Sequence, residues 1–387
     1  MNVQTGIDRV ATGAVSIEGR VALCAHPASV DRTLRHTRWV LADRDVQLVS
    51  LFGPEHGYGG EAQDMIGVGD ARDPAGLPIH SLYGATEETL SPTDAQLDGL
   101  DAVVVDLQDV GSRYYTYVWT AALILKKASR LGIKTIVLDR PNPLGGVVVE
   151  SAPQRPGFRS FVGLYDVSVR HGMTLGEIVT MVRRLEGIDE DALEVVRMDG
   201  WDPAMRFDQT GLPWVLPSPN MPTLDTAVVY PGGCAIEGTA LSEGRGQTRP
   251  FEIWGAPGLD GRALADSLSL EGATLRPMTF TPTFQKHAGV LCGGVQVHVT
   301  DRDRFRSYEA YLRMIHAAAA QLGERFEWRP DPYEFVGDIP AIDLLTGDAA
   351  FRAAVDAGAP LDHVLQAERA GAEAFDAERQ PWLLYPR

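Results

Sequence analysis

Short apolar runs alternate with amphipathic segments through the first half of the chain. Apolar residues recur with helical spacing at 121–131 and 175–185. This alternation is typical of a parallel sheet with helices on both faces, so we predict an α/β, Rossmann-like fold. Runs rich in β-branched residues predict strands at 21–25, 46–52, 102–106, 135–139 and 193–198.

The pattern changes near residue 200, where proline and glycine become frequent. Further along, residues 293–299 read as a strand, and apolar residues from Phe305 to Ala319 share one helical face. A chain of 387 residues is long enough for two domains. We therefore predict a Rossmann-like catalytic domain at 1–230 and a smaller α+β domain at 231–387.

Composition restricts the partners and the compartment. The net charge of -17 argues against binding to nucleic acid or anionic membranes, and no apolar stretch approaches the length of a membrane helix. Three widely separated cysteines suit a reducing compartment. The first 20 residues contain no export signal, so we expect a cytoplasmic protein.

Polar residues follow three of the predicted strands directly. In an open parallel sheet, ligands bind beyond the carboxyl ends of the strands, so these residues are candidates for one site. Any single one of them could instead be a loop cap or an ion pair. The candidates are Glu55, His56, Asp106, Asp109, Arg113, Asp139, Arg140 and Asn142.

The usual cofactor motifs are missing from these positions. The first strand runs into His26-Pro-Ala-Ser29 where a dinucleotide fingerprint would stand, and the glycine clusters lack the ending of a phosphate-binding loop. There is no nucleophile elbow of an acyl hydrolase. These absences argue against a nicotinamide cofactor, a phosphate-binding loop and a serine hydrolase.

Two hydrolytic chemistries fit these residue types. Glu55, His56, Asp64 and His80 fall in one region and could bind a catalytic metal with Asp106 or Asp139, although no established metal motif is present. A glycosidase needs only carboxyl groups, one protonated beside the leaving oxygen and one that stabilises the transition state. The strand ends supply both sets of residues.

A second polar segment contains Glu243 and Arg245 between glycines. An arginine there could bind an anionic sugar through paired hydrogen bonds, or the segment could be a hairpin with a surface ion pair. Tyr114, its neighbours Tyr115 and Tyr117, and Trp119 could stack against a sugar or pack on the sheet.

Five motifs in this order resemble the exo-β-N-acetylmuramidases of the NamZ type, glycoside hydrolase family 171. They are FGPEHG at 52–57, DLQDVGSRYYTY at 106–117, LDRPNPLGG at 138–146, PSPNMP at 217–222 and LSEGRG at 241–246. The resemblance implies removal of a terminal N-acetylmuramic acid from the non-reducing end of peptidoglycan-derived glycans, with no metal or cofactor. It also implies a Rossmann-like domain, a smaller C-terminal domain, and a cleft between them.

The resemblance identifies Glu55 as the leading catalytic residue, and a general-acid role fits a partly buried glutamate. We expect His56 and Asp106 to assist it. Expected substrate contacts are Asp109, Arg113, Tyr114, Asp139, Asn142, Asn220, Glu243 and Arg245.

Several properties stay open at the level of sequence. A metal-dependent hydrolase and a non-catalytic muropeptide-binding protein are the alternatives to a glycosidase. The distance between carboxyl groups, which separates retaining from inverting hydrolysis, cannot be read from a sequence. The second catalytic group and the oligomeric state are also unassigned.

Overall fold

The computed structural model describes residues 3–387. A seven-stranded sheet forms the centre of the N-terminal part, in the spatial order β3-β4-β2-β1-β5-β6-β7. All neighbouring strands run parallel except β3, which pairs antiparallel with β4 at the edge. The strands are β1 (Arg20–Ala25), β2 (Gln47–Gly53), β3 (Ala71–Arg72), β4 (Pro78–Ser81), β5 (Ala102–Asp106), β6 (Lys134–Leu138) and β7 (Leu193–Val196).

Helices cover both faces of this sheet because its central strands are apolar on both sides. In β1, Ala22 and Cys24 pack into one core, and the alternate residues Val21 and Leu23 pack into another. The first core includes side chains of α4 and α5, and the second includes side chains of α1 and α2. The helices of this part are α1 (Gly6–Ala11), α2 (Thr37–Asp43), α3 (Asp94–Leu97), α4 (Tyr117–Arg130) and α5 (Leu175–Leu185).

The C-terminal part is smaller and contains a three-stranded antiparallel sheet in the order β8-β10-β9. Its strands are β8 (Ile253–Ala256), β9 (Ala273–Phe280) and β10 (Cys292–Val299). Its helices are α6 (Leu224–Gly233), α7 (Gly261–Ser267), α8 (Ser307–Leu322), α9 (Ala341–Thr346), α10 (Ala350–Asp356) and α11 (Asp362–Glu378). Within residues 3–387, no helix combines the length and apolarity needed to cross a membrane.

The predicted fold class is confirmed, with one addition. The five predicted strands correspond to β1, β2, β5, β6 and β7. The sequence did not indicate β3 and β4, which extend the sheet at one edge and make it mixed. Both are short, with two and four residues, and neither contains a buried side chain, so they lack a hydrophobic pattern.

The strand order reverses between β1 and β5. From β1 the chain moves outward to β2 on one side and returns later to β5 on the other. Loops that leave the carboxyl ends of the neighbouring strands β1 and β5 therefore run in opposite directions and open a crevice, the usual ligand position in such sheets. Glu55 follows β2 and Thr116 follows β5, so both lie beside this crevice.

Candidate active site

A cavity of about 480 Å³ lies in this crevice and is closed by residues of the C-terminal part. It is lined by Glu55, His56, Asp64, Tyr114, Tyr115, Thr116, Tyr117, Val162, Ser218, Asn220, Met221, Tyr230, Glu237, Arg245, Phe251, Tyr333 and Glu334. Five of the predicted site residues are thus in the cavity, namely Glu55, His56, Tyr114, Asn220 and Arg245.

Glu55 is held by a tight turn directly after β2. The amide of Gly57 donates to the carbonyl of Pro54 (2.9 Å), and His56 has a φ of 69°, as the third residue of a type II turn requires. The hydroxyl of Thr116 donates to the Glu55 carboxylate at 2.6 Å. Glu55 is only 7% exposed. The hydrogen bond from Thr116 therefore fixes the orientation of a buried carboxylate that faces the cavity.

His56 is fixed by its own loop. Its Nδ1 lies 2.8 Å from the carbonyl of Ala62, and the Ala62 amide donates to the His56 carbonyl. Gly53, at the end of β2, allows this loop to fold back, because a Cβ there would lie 2.5 Å from the backbone nitrogen of Tyr58. The short loop therefore holds Glu55 and His56 side by side.

Glu334 enters the cavity from the C-terminal part, on a turn that the sequence did not reveal. Tyr333 and Val336 exchange two backbone hydrogen bonds (2.9 and 3.0 Å) around Glu334 and Phe335. Both central residues have positive φ angles, 46° and 67°, which defines a type I′ turn. Asparagine and glycine normally occupy these two positions, so residues 334 and 335 do not themselves mark a turn, although Asp331-Pro332 and Gly337-Asp338 flank it.

The Glu334 carboxyl group is buried and accepts a hydrogen bond from the hydroxyl of Tyr83 at 3.0 Å. Burial raises its pKa well above the usual glutamate range, and the negative charge of Glu55 raises it further. The hydrogen bond from Tyr83 opposes this effect but does not outweigh it. Glu334 therefore holds its proton to higher pH than an ordinary glutamate.

Tyrosines form one wall of the cavity. Tyr115 and Tyr117 meet edge to face with ring centroids 4.8 Å apart, and Tyr230 packs edge to face against Tyr115 at 5.8 Å. The Tyr115 hydroxyl is buried in this wall, close to Ser218 and Tyr117. Trp119 is outside the cavity, where it stacks on Tyr165.

Arg245 lies at the centre of a buried cluster of carboxylates. Its three nitrogen atoms each contact one of them: Asp64 at 3.1 Å, Glu237 at 2.6 Å and Glu243 at 3.1 Å. Lys286 also contacts Glu243, at 3.0 Å. Because its nitrogen atoms are already paired, Arg245 has little capacity left for a substrate carboxylate. Its contacts favour a structural role that connects the two parts of the chain.

Asp106 and Asp139 are buried at their strand ends but do not line the cavity. Arg140 donates to Asp106 at 2.8 Å, and Thr37 donates to the same carboxylate. Asp139 accepts from Thr174 and Tyr385, both at 2.7 Å. Burial raises the pKa of Asp139 to about 6. These contacts hold both carboxyl groups at the carboxyl ends of β5 and β6, and Asp106 does not line the same cavity as Glu55.

Four other predicted residues also lie outside the cavity lining, and each is occupied by protein contacts. Arg113 donates to the carbonyls of Val167 (2.9 Å) and Leu345 (2.7 Å). Asp109 accepts from the Gly111 amide at 2.7 Å, and Asn142 donates to the Met173 carbonyl at 2.9 Å. Glu243 is occupied by the Arg245 cluster described above.

A larger depression of about 870 Å³ lies elsewhere, between residues 147–151 and the helices α8 and α11. Arg369 and Glu373 on its rim are exposed, and Glu55 is not part of it. The cavity around Glu55 has the converging buried carboxyl groups that an active site requires. Within residues 3–387, no group of three or more His, Cys, Asp or Glu side chains is placed to bind a metal ion.

Comparison with known proteins adds to this geometry. The family model "Exo-beta-N-acetylmuramidase NamZ, N-terminal" matches residues 21–225, and the corresponding C-terminal model matches residues 228–385. The chain is 41% identical over 390 residues to the peptidoglycan β-N-acetylmuramidase NamZ of Bacillus subtilis (strain 168), covering 99% of this chain and 91% of the relative.

Crystal structures of two DUF1343 family proteins from Bacteroides fragilis NCTC 9343 are also similar. The first has a TM-score of 0.88 at 30% identity, and the second has a TM-score of 0.77 at 26% identity. Each comparison covers 100% of this chain and 99% of the other. The resemblance inferred from the five motifs is confirmed. The chain belongs to the NamZ family of exo-β-N-acetylmuramidases, which are glycosidases.

Proposed function

We propose that this chain releases N-acetylmuramic acid from the non-reducing end of peptidoglycan-derived glycans, with Glu55 as an acid/base carboxyl group. The observation that carries the proposal is the position of Glu55, buried in the cavity and fixed by Thr116 at 2.6 Å. The similarity to the Bacillus subtilis relative, named a peptidoglycan β-N-acetylmuramidase, supports the substrate.

The chemistry of glycoside hydrolysis agrees with this cavity. The reaction needs one carboxyl group to protonate the leaving oxygen and a second group to stabilise positive charge on the sugar. The cavity provides carboxyl groups from both parts of the chain, and tyrosines that can pack against a sugar ring.

The experiment is hydrolysis of the disaccharide N-acetylmuramyl-N-acetylglucosamine by the purified chain and by Glu55→Gln, each with and without a chelator. We expect release by the wild type in both conditions. Glu55→Gln should lower kcat by about 10²–10⁴-fold, the usual contribution of general acid–base catalysis. Glu61→Gln is the matched control, because Glu61 is an exposed glutamate of the same loop.

Three results would contradict the proposal. Loss of release with chelator would favour a metal-dependent hydrolase. Binding of the disaccharide by a folded wild type without any release would indicate a binding protein. An unchanged rate in Glu55→Gln would remove Glu55 from the mechanism.

A further inference from the structure

The cavity contains four carboxyl groups, and they fall into two pairs. Asp64 and Glu237 both make ion pairs with Arg245, at 3.1 and 2.6 Å. Glu55 and Glu334 have no cationic partner among the residues that the structure describes. Asp64 and Glu237 are therefore held in structural contacts, whereas Glu55 and Glu334 are not paired with a cation and can take part in the reaction.

Two buried carboxyl groups without a cation are costly to ionise together, so such a pair tends to hold one proton. Each member has one side-chain hydroxyl as a donor, Thr116 for Glu55 at 2.6 Å and Tyr83 for Glu334 at 3.0 Å. The ionisable groups that act on Glu334 are Tyr83 and the carboxylates Glu55, Glu237 and Asp64.

The environments of the two groups decide which one holds the proton. Burial raises the pKa of Glu334, and the surrounding negative charges add to that effect. Pairs of carboxyl groups with separated pKa values are the usual arrangement for an acid and its ionised partner in glycosidases.

We infer that Glu334 is a second catalytic residue, which delivers the proton to the leaving sugar oxygen while the Glu55 carboxylate stabilises the reacting sugar. The inference rests on the proposed glycosidase function and assigns roles within the same site. In this assignment Glu55 is the ionised member of the acid/base pair, and Glu334 is the protonated member. Tyr83 is a positioning residue, since it reaches the cavity chemistry only through Glu334.

The bond-breaking step balances with these groups alone. The bond between the anomeric carbon and the glycosidic oxygen breaks, and its electron pair goes to the oxygen. That oxygen takes the proton from the Glu334 carboxyl group, and the charge of Glu55 stabilises the cationic sugar. Water later bonds to the anomeric carbon and gives one proton back to the pair, which ends with one proton as it began.

Substrates with different leaving groups test whether Glu334 is the acid and Glu55 the stabilising carboxylate. A poor leaving group, such as the N-acetylglucosamine of the disaccharide, needs protonation, whereas a dinitrophenolate does not. We expect Glu334→Gln to cleave the disaccharide about 10²–10⁴-fold more slowly. It should cleave the dinitrophenyl β-N-acetylmuraminide within about 10-fold of the wild-type rate, because that step is not limited by proton transfer. Glu55→Gln should be slow on both substrates.

The outcomes separate this inference from the proposed function. If the wild type cleaves neither substrate, both fail. If it cleaves both but Glu334→Gln is equally slow on the two, or normal on the disaccharide, only the role of Glu334 is overturned. Glu368→Gln is the matched control, since Glu368 is also a buried glutamate but lies outside the cavity.

A second variant keeps the inference testable if Glu334→Gln does not fold. Tyr83→Phe removes the hydroxyl that favours the ionised form of Glu334, so the pKa of Glu334 should rise further. The basic limb of the kcat/KM profile should then move to higher pH. An unshifted limb in a folded Tyr83→Phe protein would overturn the assignment of the acid.

Discussion

Glu55 and Glu334 reach the same cavity from turns of different kinds. The turn of Glu55 directly follows β2, and His56 is its one non-glycine residue with a positive φ angle. The turn of Glu334 lies outside any helix or strand and has positive φ angles at a glutamate and a phenylalanine. Such residues cost of order 1–2 kcal/mol each in this conformation.

The difference shows where local rules of sequence apply. Strand ends of a parallel sheet converge by geometry, so a carboxylate that follows a predicted strand is a candidate by its position in the chain. A strained turn is stable only because the surrounding structure holds it, and strain of this kind is concentrated at functional sites. The unfavourable backbone of Glu334 is thus an indication of function that only the folded chain reveals.

The largest expected effect tests whether the carboxyl groups of Glu55 and Glu334, one on each turn, act together in catalysis. The double variant Glu55→Gln with Glu334→Gln should be about as slow on the disaccharide as the slower single variant, a loss of about 10²–10⁴-fold. The reason is that either change already removes the acid/base pair. The measurement is a double-mutant cycle on kcat/KM. Losses that multiply would mean that the two carboxyl groups contribute independently.

The next effect concerns the link between the two turns. Arg245 contacts Asp64, which follows the first turn, and Glu237, which accepts from Tyr333 of the second turn at 2.7 Å. Arg245→Met leaves buried carboxylates without a cation and should lower the free energy of unfolding by about 3–5 kcal/mol.

Arg262→Met is the control for this prediction, because Arg262 makes an exposed ion pair with Asp266. Its effect should stay within about 0.5 kcal/mol. The check is chemical denaturation of both variants. Equal midpoints for the two would show that the Arg245 cluster does not hold the site together.

The smallest effect is a pH dependence of stability. The folded pKa of Glu334 is raised, so between the usual glutamate range and that raised value the folded chain keeps a proton that the unfolded chain has lost. Stability should therefore fall with rising pH by about 1.4 kcal/mol per unit within this window. Glu334→Gln cannot ionise, so its stability relative to the wild type should grow as pH rises.

Glu368 allows the same effect to be measured away from the cavity. Burial raises the pKa of Glu368 to about 7. Glu368→Gln should gain relative stability as pH rises from about 4.5 to about 7, with unchanged hydrolysis. Denaturation curves at several pH values, together with the hydrolysis assay, provide the comparison. For either variant, a stability difference from the wild type that is the same at every pH would contradict the raised pKa of the residue that was changed.

Much of the N-terminal architecture could be predicted because its strands are buried on both faces and bounded by helical patterns. Val103 to Val105 of β5 are completely buried, which gives a continuous apolar run. The two outer strands β3 and β4 could not be found, since pairing and not burial defines them. Glu55 was identified from its motif and its place after β2.

The rest of the site depends on contacts that a sequence does not show. Asp106 and Glu55 both follow central strands, but Asp106 faces Arg140 and Thr37 whereas Glu55 faces the cavity. Only the packing of the loops decides between these outcomes. Glu334 is almost 280 residues from Glu55 along the chain, and neither Glu334 nor Phe335 is a residue that normally marks a type I′ turn.

The type I′ turn has a consequence for protein engineering. Stabilisation protocols that favour ideal turn residues would place asparagine and glycine at positions 334 and 335. The resulting chain would gain backbone stability and fold as before, yet it would lose the carboxyl group that Tyr83 holds in the cavity. Heat resistance alone would rank such a variant above its parent, so selection for thermostability in this family needs an activity screen at every round.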